Sequence, residues 1–412
     1  MSAVLEYVEV KGVKIPMIFE QDNLPIASIQ VVFQKSGSIE DGNLSGLARM
    51  SAQMLSQGTK KLGNVGFATK LEEKAVRFGV HSGVETFVIE ASALKSEFKS
   101  GLELIRELFV DPNLTPQTLE KVKTITLGAL MRKKNDYDYI ASINLKKILF
   151  EGTPLAHPSD GTEESVQRIG LQDIENFLKK HLVLKRAIVV IGGDLELNEA
   201  KELVRHFLEP LAVGESEPLP FFNASDKEKK TIQKEQEIQQ AYIYFGAPYY
   251  LKVDSDKLHL SRLAMFILGT GGFGSRLMEE IRVKRGLAYS AYSFARINKS
   301  HSYYSGYLQT KLESAKEAQA LVKEVIKEFV QKGVTQKELD QAKKFILGSE
   351  PLRNETLSQR LSRAFNEYYR GKPLGWSKKE LELIEKTSLN ELNAFIKAHS
   401  EITKLSFSIV TK

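Results

Sequence analysis

Hydrophobic and polar positions along the chain follow two different spacings, and these predict alternating strands and helices. Alternation with a period of two, or a short apolar run, predicts strands over residues 6–10, 14–19, 29–33, 84–93 and 186–192. Apolar residues at helical spacing predict helices over residues 42–58, 71–76, 98–109, 116–130 and 198–208. The second of these helices is expected to end at Gly79.

The same order of elements begins again after a polar, proline-containing segment. Residues 214–232 contain Pro218, Pro220 and a run of charged residues, which is typical of a linker. Beyond it, strands are predicted over residues 240–247, 288–295, 303–309 and 405–410, with helices between them. The pattern therefore predicts domains over residues 1–213 and 233–412, both built as α+β units with an antiparallel-rich sheet covered by helices.

Composition excludes several classes of function. The 412 residues include 58 Lys and Arg and 52 Asp and Glu, which gives a net charge of +6. This excess is not concentrated in a basic tract of the kind that binds nucleic acid. Cysteine is absent, so neither a disulfide nor a thiolate ligand exists. No apolar run is long enough to span a bilayer, and the N-terminus shows no signal peptide. The expected compartment is the cytoplasm for a complete chain, or the periplasm or exterior if a leader was removed.

The common catalytic motifs do not identify a function for this chain. No two of the seven histidines have the spacing of a helical ligand pair, and no nucleophile elbow, Walker loop or dinucleotide fingerprint occurs. Residues 269–275 are glycine-rich but lack the lysine of a phosphate loop. We interpret Gly271, Gly272 and Gly274 as candidate substrate contacts, with a flexible connection between helices as the alternative.

Residues 273–292 carry the most specific signal. Their sequence, FGSRLMEEIRVKRGLAYSAY, resembles without gaps the C-terminal signature of the M16 zinc peptidases, the pitrilysin and mitochondrial processing peptidase family, in its short bacterial two-domain branch. Residues 26–38, 154–169 and 189–194 resemble further segments of that family, so the resemblance covers nearly the whole chain. It implies two homologous α/β-sandwich-like domains in the duplicated LuxS/MPP-like metallohydrolase fold.

The zinc motif of the family is replaced in this chain. Active members have G-L-A-H-x-x-E-H-x-x-x-x-G-T, whereas residues 46–59 read GLARMSAQMLSQGT. The resemblance puts Arg49 and Gln53 at the two histidines and Ala52 at the glutamate. It puts Ala129, with Gly128 as the alternative, at the third ligand on the long helix. Zinc needs three nitrogen or oxygen ligands, and its water needs a base, so no metal is expected in this chain.

Arg282 and Tyr289 match the arginine and tyrosine that, in active relatives, face the zinc site and hold the substrate backbone and the developing oxyanion. The resemblance therefore implies a zinc-less subunit that supplies Arg282 and Tyr289 to a zinc-bearing M16 partner, and that helps to enclose unfolded peptides. A homodimer is the alternative assembly. The alternative function is a structural or peptide-binding M16-like protein without a role in proteolysis. An enzyme with an unrelated site is a third reading, for which the sequence offers no residues.

Overall fold

A computed structural model describes residues 2–412, which divide into two compact units. The first contains residues up to Met131, Pro158–Leu219 and Arg353–Tyr369, and the second contains Arg132–His157, Pro220–Leu352 and Arg370–Lys412. Each unit therefore includes one segment from the other half of the sequence.

The first unit is a mixed sheet with helices. Its strands are β1 (Val4–Val10), β2 (Val13–Gln21), β3 (Ile26–Gln34), β4 (Arg77–Ser82), β5 (Thr86–Leu94) and β6 (Ala187–Gly193). Its helices are α1 (Leu47–Leu55), α2 (Gly63–Glu73), α3 (Lys95–Arg106), α4 (Pro116–Lys133), α6 (Glu163–Arg168), α7 (Leu171–His181), α8 (Leu197–Leu208) and α12 (Leu357–Tyr369). Short 3₁₀ turns occupy Ser38–Glu40, Glu107–Phe109 and Leu184–Arg186.

The second unit repeats this plan. Its strands are β7 (Phe222–Asn223), β8 (Lys230–Lys234), β9 (Gln240–Pro248), β10 (Ala288–Ile297), β11 (His301–Lys311) and β12 (Ser406–Thr411). Its helices are α5 (Tyr137–Leu149), α9 (Leu258–Met265), α10 (Ala315–Lys332), α11 (Gln336–Gly348), α13 (Trp376–Lys386) and α14 (Leu389–Ala398). π-helical turns cover Phe266–Thr270 and Met278–Val283, and 3₁₀ turns cover Pro154–Ala156, Gly272–Gly274, Leu312–Ser314, Pro351–Arg353 and Ser400–Thr403.

The two sheets have the same topology. The first has the strand order β1-β2-β6-β3-β5-β4 and the second has β8-β12-β9-β11-β10. The matching pairs β2–β6 and β8–β12 are parallel, and the pairs that follow them in the strand order are antiparallel. In the second sheet, the short strand β7 forms a further parallel pair with β11. This shared order confirms the predicted duplicated α+β fold.

Side-chain alternation gives each sheet one apolar face and one more polar face. In the first unit, Val31, Phe33 and Phe87 belong to a buried core that also includes residues of α1, α3, α7 and α8. In the second, Phe245 and Phe407 belong to the corresponding core. Helix α12 contacts β2 and β6 of the first sheet, and α5 contacts β9 and β12 of the second.

Three boundaries differ from the sequence-based expectations. Helix α1 begins only at Leu47, because residues 41–46 form turns ahead of it. Gly79 does not end a helix but lies within β4, since α2 already stops at Glu73 and Ala75 takes a left-handed conformation with φ of 51°. Part of the predicted linker is strand, because β7 pairs with β11 and β8 pairs with β12. Among the described residues, none of the helices combines the length and hydrophobicity of a bilayer-spanning segment.

Candidate functional site

The start of helix α1 is fixed by a buried carboxylate. Asp41 accepts hydrogen bonds from the backbone N–H groups of Gly46 and Ala48, both at 2.8 Å. These groups have no partner inside the helix, so a side-chain acceptor stabilises its first turn. Burial raises the pKa of the Asp41 carboxyl to about 7, and these N–H groups oppose the rise.

The segment that begins at Pro158 packs against the same helix start. Ser45 donates to the carbonyl of Pro158 at 2.5 Å, and Ser165 donates to the carbonyl of Ser45 at 2.7 Å. Gly46 has a φ of 91°, and a Cβ there would lie 2.8 Å from the Cα of Gly161. Glycine is therefore required at position 46 for both conformation and space.

Arg49 lies one turn into α1 and forms an ion pair with Asp160. The arginine side chain is 48% exposed, whereas the aspartate side chain is 14% exposed. The positive charge of Arg49 is thus neutralised within the first unit, by a carboxylate from the segment that packs on the helix start.

Gln53 lies one turn beyond Arg49 and bonds to α4. Its side-chain oxygen accepts a 2.9 Å hydrogen bond from the hydroxyl of Thr126, which is also within 2.8 Å of the carbonyl of Val122. Ala52 is buried at 3% exposure in the apolar core. Ala129 follows Thr126 by three residues on α4, and is therefore on the same helix face one turn further on.

The second unit holds the segment around Arg282 by a bidentate ion pair at its start. Arg276 donates from Nε and Nη2 to the two carboxylate oxygens of Glu338 at 2.6 and 2.9 Å, and Nη2 also donates to the carbonyl of Gly333 at 2.7 Å. Glu338 belongs to the capping box of α11 with Thr335. The segment is thereby anchored to the start of α11.

Arg282 lies between aromatic side chains rather than against an acid. Its guanidinium carbon is 4.6 Å from the ring centre of Phe273 and 4.6 Å from that of Tyr289. The neighbouring Lys284 and Arg285 both pair with Glu280, at 2.5 and 2.9 Å. Within residues 2–412, the Arg282 guanidinium makes neither a hydrogen bond nor an ion pair.

Tyr289 stands at the second residue of β10, the edge strand of its sheet, and is 81% exposed. Phe273 is 66% exposed. The two residues that the sequence singled out are therefore adjacent, with an exposed phenol beside an unpaired cation. The half-buried guanidinium and the exposed phenol can both donate to a carbonyl or oxyanion of a bound molecule.

The glycine-rich turn has two kinds of glycine. A Cβ at Gly271 would lie 2.7 Å from the carbonyl oxygen of Phe266, whereas Gly272 and Gly274 have no atom within 4 Å of such a Cβ. Gly271 is required by packing. The role of all three in substrate contact remains a prediction.

Comparison with known proteins identifies the family. The family model of insulinase (peptidase family M16) matches residues 17–163, and that of the peptidase M16 inactive domain matches residues 168–346. The chain is 45% identical to the "non-peptidase homolog YmxG" of Helicobacter pylori over all of its 412 residues and 95% of that protein. The chain belongs to the peptidase M16 family.

Two solved structures share this M16 fold. The peptidase M16 inactive domain from Pseudomonas fluorescens superposes with a TM-score of 0.90 at 24% identity, over 99% of this chain and 98% of that one. A protease from H. pylori gives a TM-score of 0.85 at 18% identity, over the whole of both chains. At these identities the likeness concerns the fold alone.

The four residues that the resemblance places at the M16 zinc motif do not fit a zinc ion. Arg49 is a paired cation, Ala52 and Ala129 offer only methyl groups, and the amide oxygen of Gln53 is bonded to Thr126. Within residues 2–412, no three His, Cys, Asp or Glu side chains come together as a possible metal-binding group. No step of metal chemistry is therefore derived for these side chains.

Four residues that complete this picture escaped the sequence reasoning. Asp41 could have been found as an acceptor residue directly ahead of the predicted helix over residues 42–58. Asp160, Thr126 and Phe273 carry no local signal, because their partners are distant in sequence or are recognised only in three dimensions.

Proposed function

We propose that this M16 protein is a zinc-less subunit that completes the site of a zinc-bearing M16 paralogue and helps to enclose unfolded peptides. The zinc would be held by the partner, and Arg282 and Tyr289 would act in trans on the substrate carbonyl. The name "non-peptidase homolog" of the H. pylori relative supports a chain that is not a peptidase by itself.

The surroundings of Arg282 and Tyr289 support the proposal. Arg282 and Tyr289 lie side by side with the guanidinium unpaired and the phenol exposed, although the zinc-motif positions are replaced. Donors that are held in place and left without a protein partner suit a carbonyl oxygen that gains negative charge.

Tyr289→Phe is the sharpest test, because it removes one exposed hydroxyl and keeps the ring that stacks on Arg282. In a complex with the zinc-bearing partner, kcat should fall roughly 10²–10³-fold, the usual loss for one oxyanion donor. Partner affinity and Tm should not change. Tyr250→Phe, which removes the hydroxyl of another exposed tyrosine, is the matched control and should retain full turnover.

A role in scaffolding or peptide capture without proteolysis is the second candidate, and the relative's name favours it equally. It predicts wild-type kcat for the Tyr289→Phe complex, or no turnover with any zinc-bearing paralogue. Either result would contradict the proposal that Arg282 and Tyr289 act in trans on the substrate.

A further inference from the structure

A cavity of about 380 Å³ lies beside the second half of α7, within the first unit. Four parts of the chain surround it: the end of α1 with the loop after it, the 3₁₀ turn Glu107–Phe109 with the loop after it, α7, and the segment that follows α8. Its apolar wall includes six buried leucines: Leu55, Leu108, Leu114, Leu178, Leu182 and Leu211. We call this space the α7 cavity, and its volume is in the range of sites that hold small molecules.

Backbone hydrogen bonds hold the loops around the α7 cavity. The N–H of Lys60 donates to the carbonyl of Asp111 at 3.0 Å, which joins the loop after α1 to the loop after the 3₁₀ turn. The N–H of Leu184 donates to the carbonyl of Ala212 at 2.9 Å, which joins the end of α7 to the segment after α8. The α7 cavity is therefore part of the fold, because its walls are tied to one another through the main chain.

Three charged side chains also line the α7 cavity. Lys60, Glu175 and Lys179 are exposed, whereas the leucines are buried, so the charged residues mark the side that is open to solvent. Within residues 2–412, none of these three side chains forms an ion pair or a hydrogen bond. Two ammonium groups and one carboxylate therefore stand at the opening, which gives it an excess of positive charge.

We propose that the α7 cavity binds an anion with an unbranched apolar chain, of the class of medium-chain fatty acids. The chain packs on the leucines, and the carboxylate lies at the open side with Lys60 and Lys179. Leucine side chains offer neither donors nor acceptors, so a peptide main chain would lose its hydrogen bonds to water there, whereas an alkyl chain has none to lose. The inference is independent of the proposed function, because the cavity belongs to the first unit and Arg282 to the second.

The first test measures binding of octanoate, decanoate and dodecanoate to the full chain by isothermal titration calorimetry. Affinity should rise about 15-fold for each two-carbon extension until the chain fills the cavity, because each buried CH₂ tightens binding about 4-fold. One ligand should bind per chain. Ala212→Trp introduces a large ring at an exposed position of the lining, so it should abolish binding and leave Tm near the wild-type value.

A second test concerns the charge at the opening. Decanoate should bind roughly 2- to 30-fold more tightly than neutral decanol, the value expected for two exposed ion pairs. The double variant Lys60→Met, Lys179→Met should lose this preference. The matched control Lys61→Met, Lys180→Met changes the next lysine in each case, neither of which lines the cavity, and should retain the preference.

Absence of saturable binding, or binding of several fatty acids per chain with equal affinity, would overturn the inference. So would wild-type binding by an Ala212→Trp variant that circular dichroism shows to be folded. Equal affinity of the wild-type chain for decanoate and decanol would indicate a neutral apolar occupant, such as side chains of a partner protein, and would also overturn it. If Ala212→Trp does not fold, the two lysine variants decide the question.

Discussion

The ion pair between Arg276 and Glu338 should determine both the stability of the second unit and the position of Arg282. Arg276→Met keeps the apolar stem of the side chain but removes three hydrogen bonds, two to Glu338 and one to the carbonyl of Gly333. The two charged side chains are only 20% and 24% exposed. The variant therefore leaves a largely buried carboxylate with Thr335 as its remaining partner.

The magnitude follows from this burial. Breaking a fully buried ion pair on one side costs about 3–5 kcal/mol, and partial exposure of this pair lowers the expected loss to about 2–3 kcal/mol. For a unit of this size, Tm changes by about 2–4 °C per kcal/mol, so a decrease of about 4–12 °C is expected in calorimetry. Burial raises the pKa of Glu338, but the hydrogen bonds from Arg276 and Thr335 outweigh it and hold the pKa below its ordinary value.

This pKa direction gives a second signature. Because the folded-state pKa is lowered, the stabilisation is present above the unfolded pKa and is lost as pH falls through the folded value. The Tm difference between wild type and Arg276→Met should therefore shrink in acid. Arg285→Met is the control, since its pair with Glu280 is more exposed and should contribute under about 1 kcal/mol. If Arg276→Met and the Arg285→Met control have the same Tm at neutral pH, the proposed anchoring role of Arg276 is refuted.

Three further predictions concern the first unit and the assembly. The purified chain, and the triple variant Arg49→His, Ala52→Glu, Gln53→His, should bind no stoichiometric zinc by metal analysis, because Ala129 leaves the third ligand missing. One tightly held zinc per triple-variant chain would contradict this. Sedimentation should show association with a zinc-bearing M16 paralogue, and a strict monomer in its presence would count against a subunit role. The free energy of unfolding should fall as pH rises from about 4 to 7 through ionisation of Asp41, whose folded pKa is raised, and Asp41→Asn should lack this contribution.

The sequence predicted the elements better than their connections. Apolar spacing located α8 and β5, because each buries one regular face. The exchange of α5 and α12 between the units was not predicted, since an amphipathic pattern shows that a helix has an apolar face but not which sheet covers it. Gly79 was misassigned because glycine is common both at helix ends and where a strand lies close to other side chains.

In the candidate site too, residues within a motif were predicted from the sequence, whereas their partners in space were not. Arg282 and Tyr289 were found through a motif, and their side chains lie next to each other. Their role in binding or catalysis stays a prediction. Phe273, nine residues before Arg282, completes the aromatic surroundings of the guanidinium, yet an exposed phenylalanine in a glycine-rich turn has no distinctive sequence signal. The hydrogen bonds that Asp138 of α5 accepts from Tyr244 and Gln309 join the helix to strands more than a hundred residues later, which no local pattern encodes.

The residues that the sequence singled out have different surroundings in the two units. In the first unit each polar replacement has a partner of its own: Arg49 pairs with Asp160, and Gln53 bonds to Thr126. Such pairing is what folding stability favours, because an unsatisfied polar group is costly once it is buried. In the second unit, Arg282 remains without an acid, and Tyr289 exposes most of its surface. An exposed phenol contributes little to stability, so stability alone gives no reason for this pair at the edge of the sheet. An unpaired guanidinium beside an exposed phenol is the arrangement that the proposed in-trans role requires.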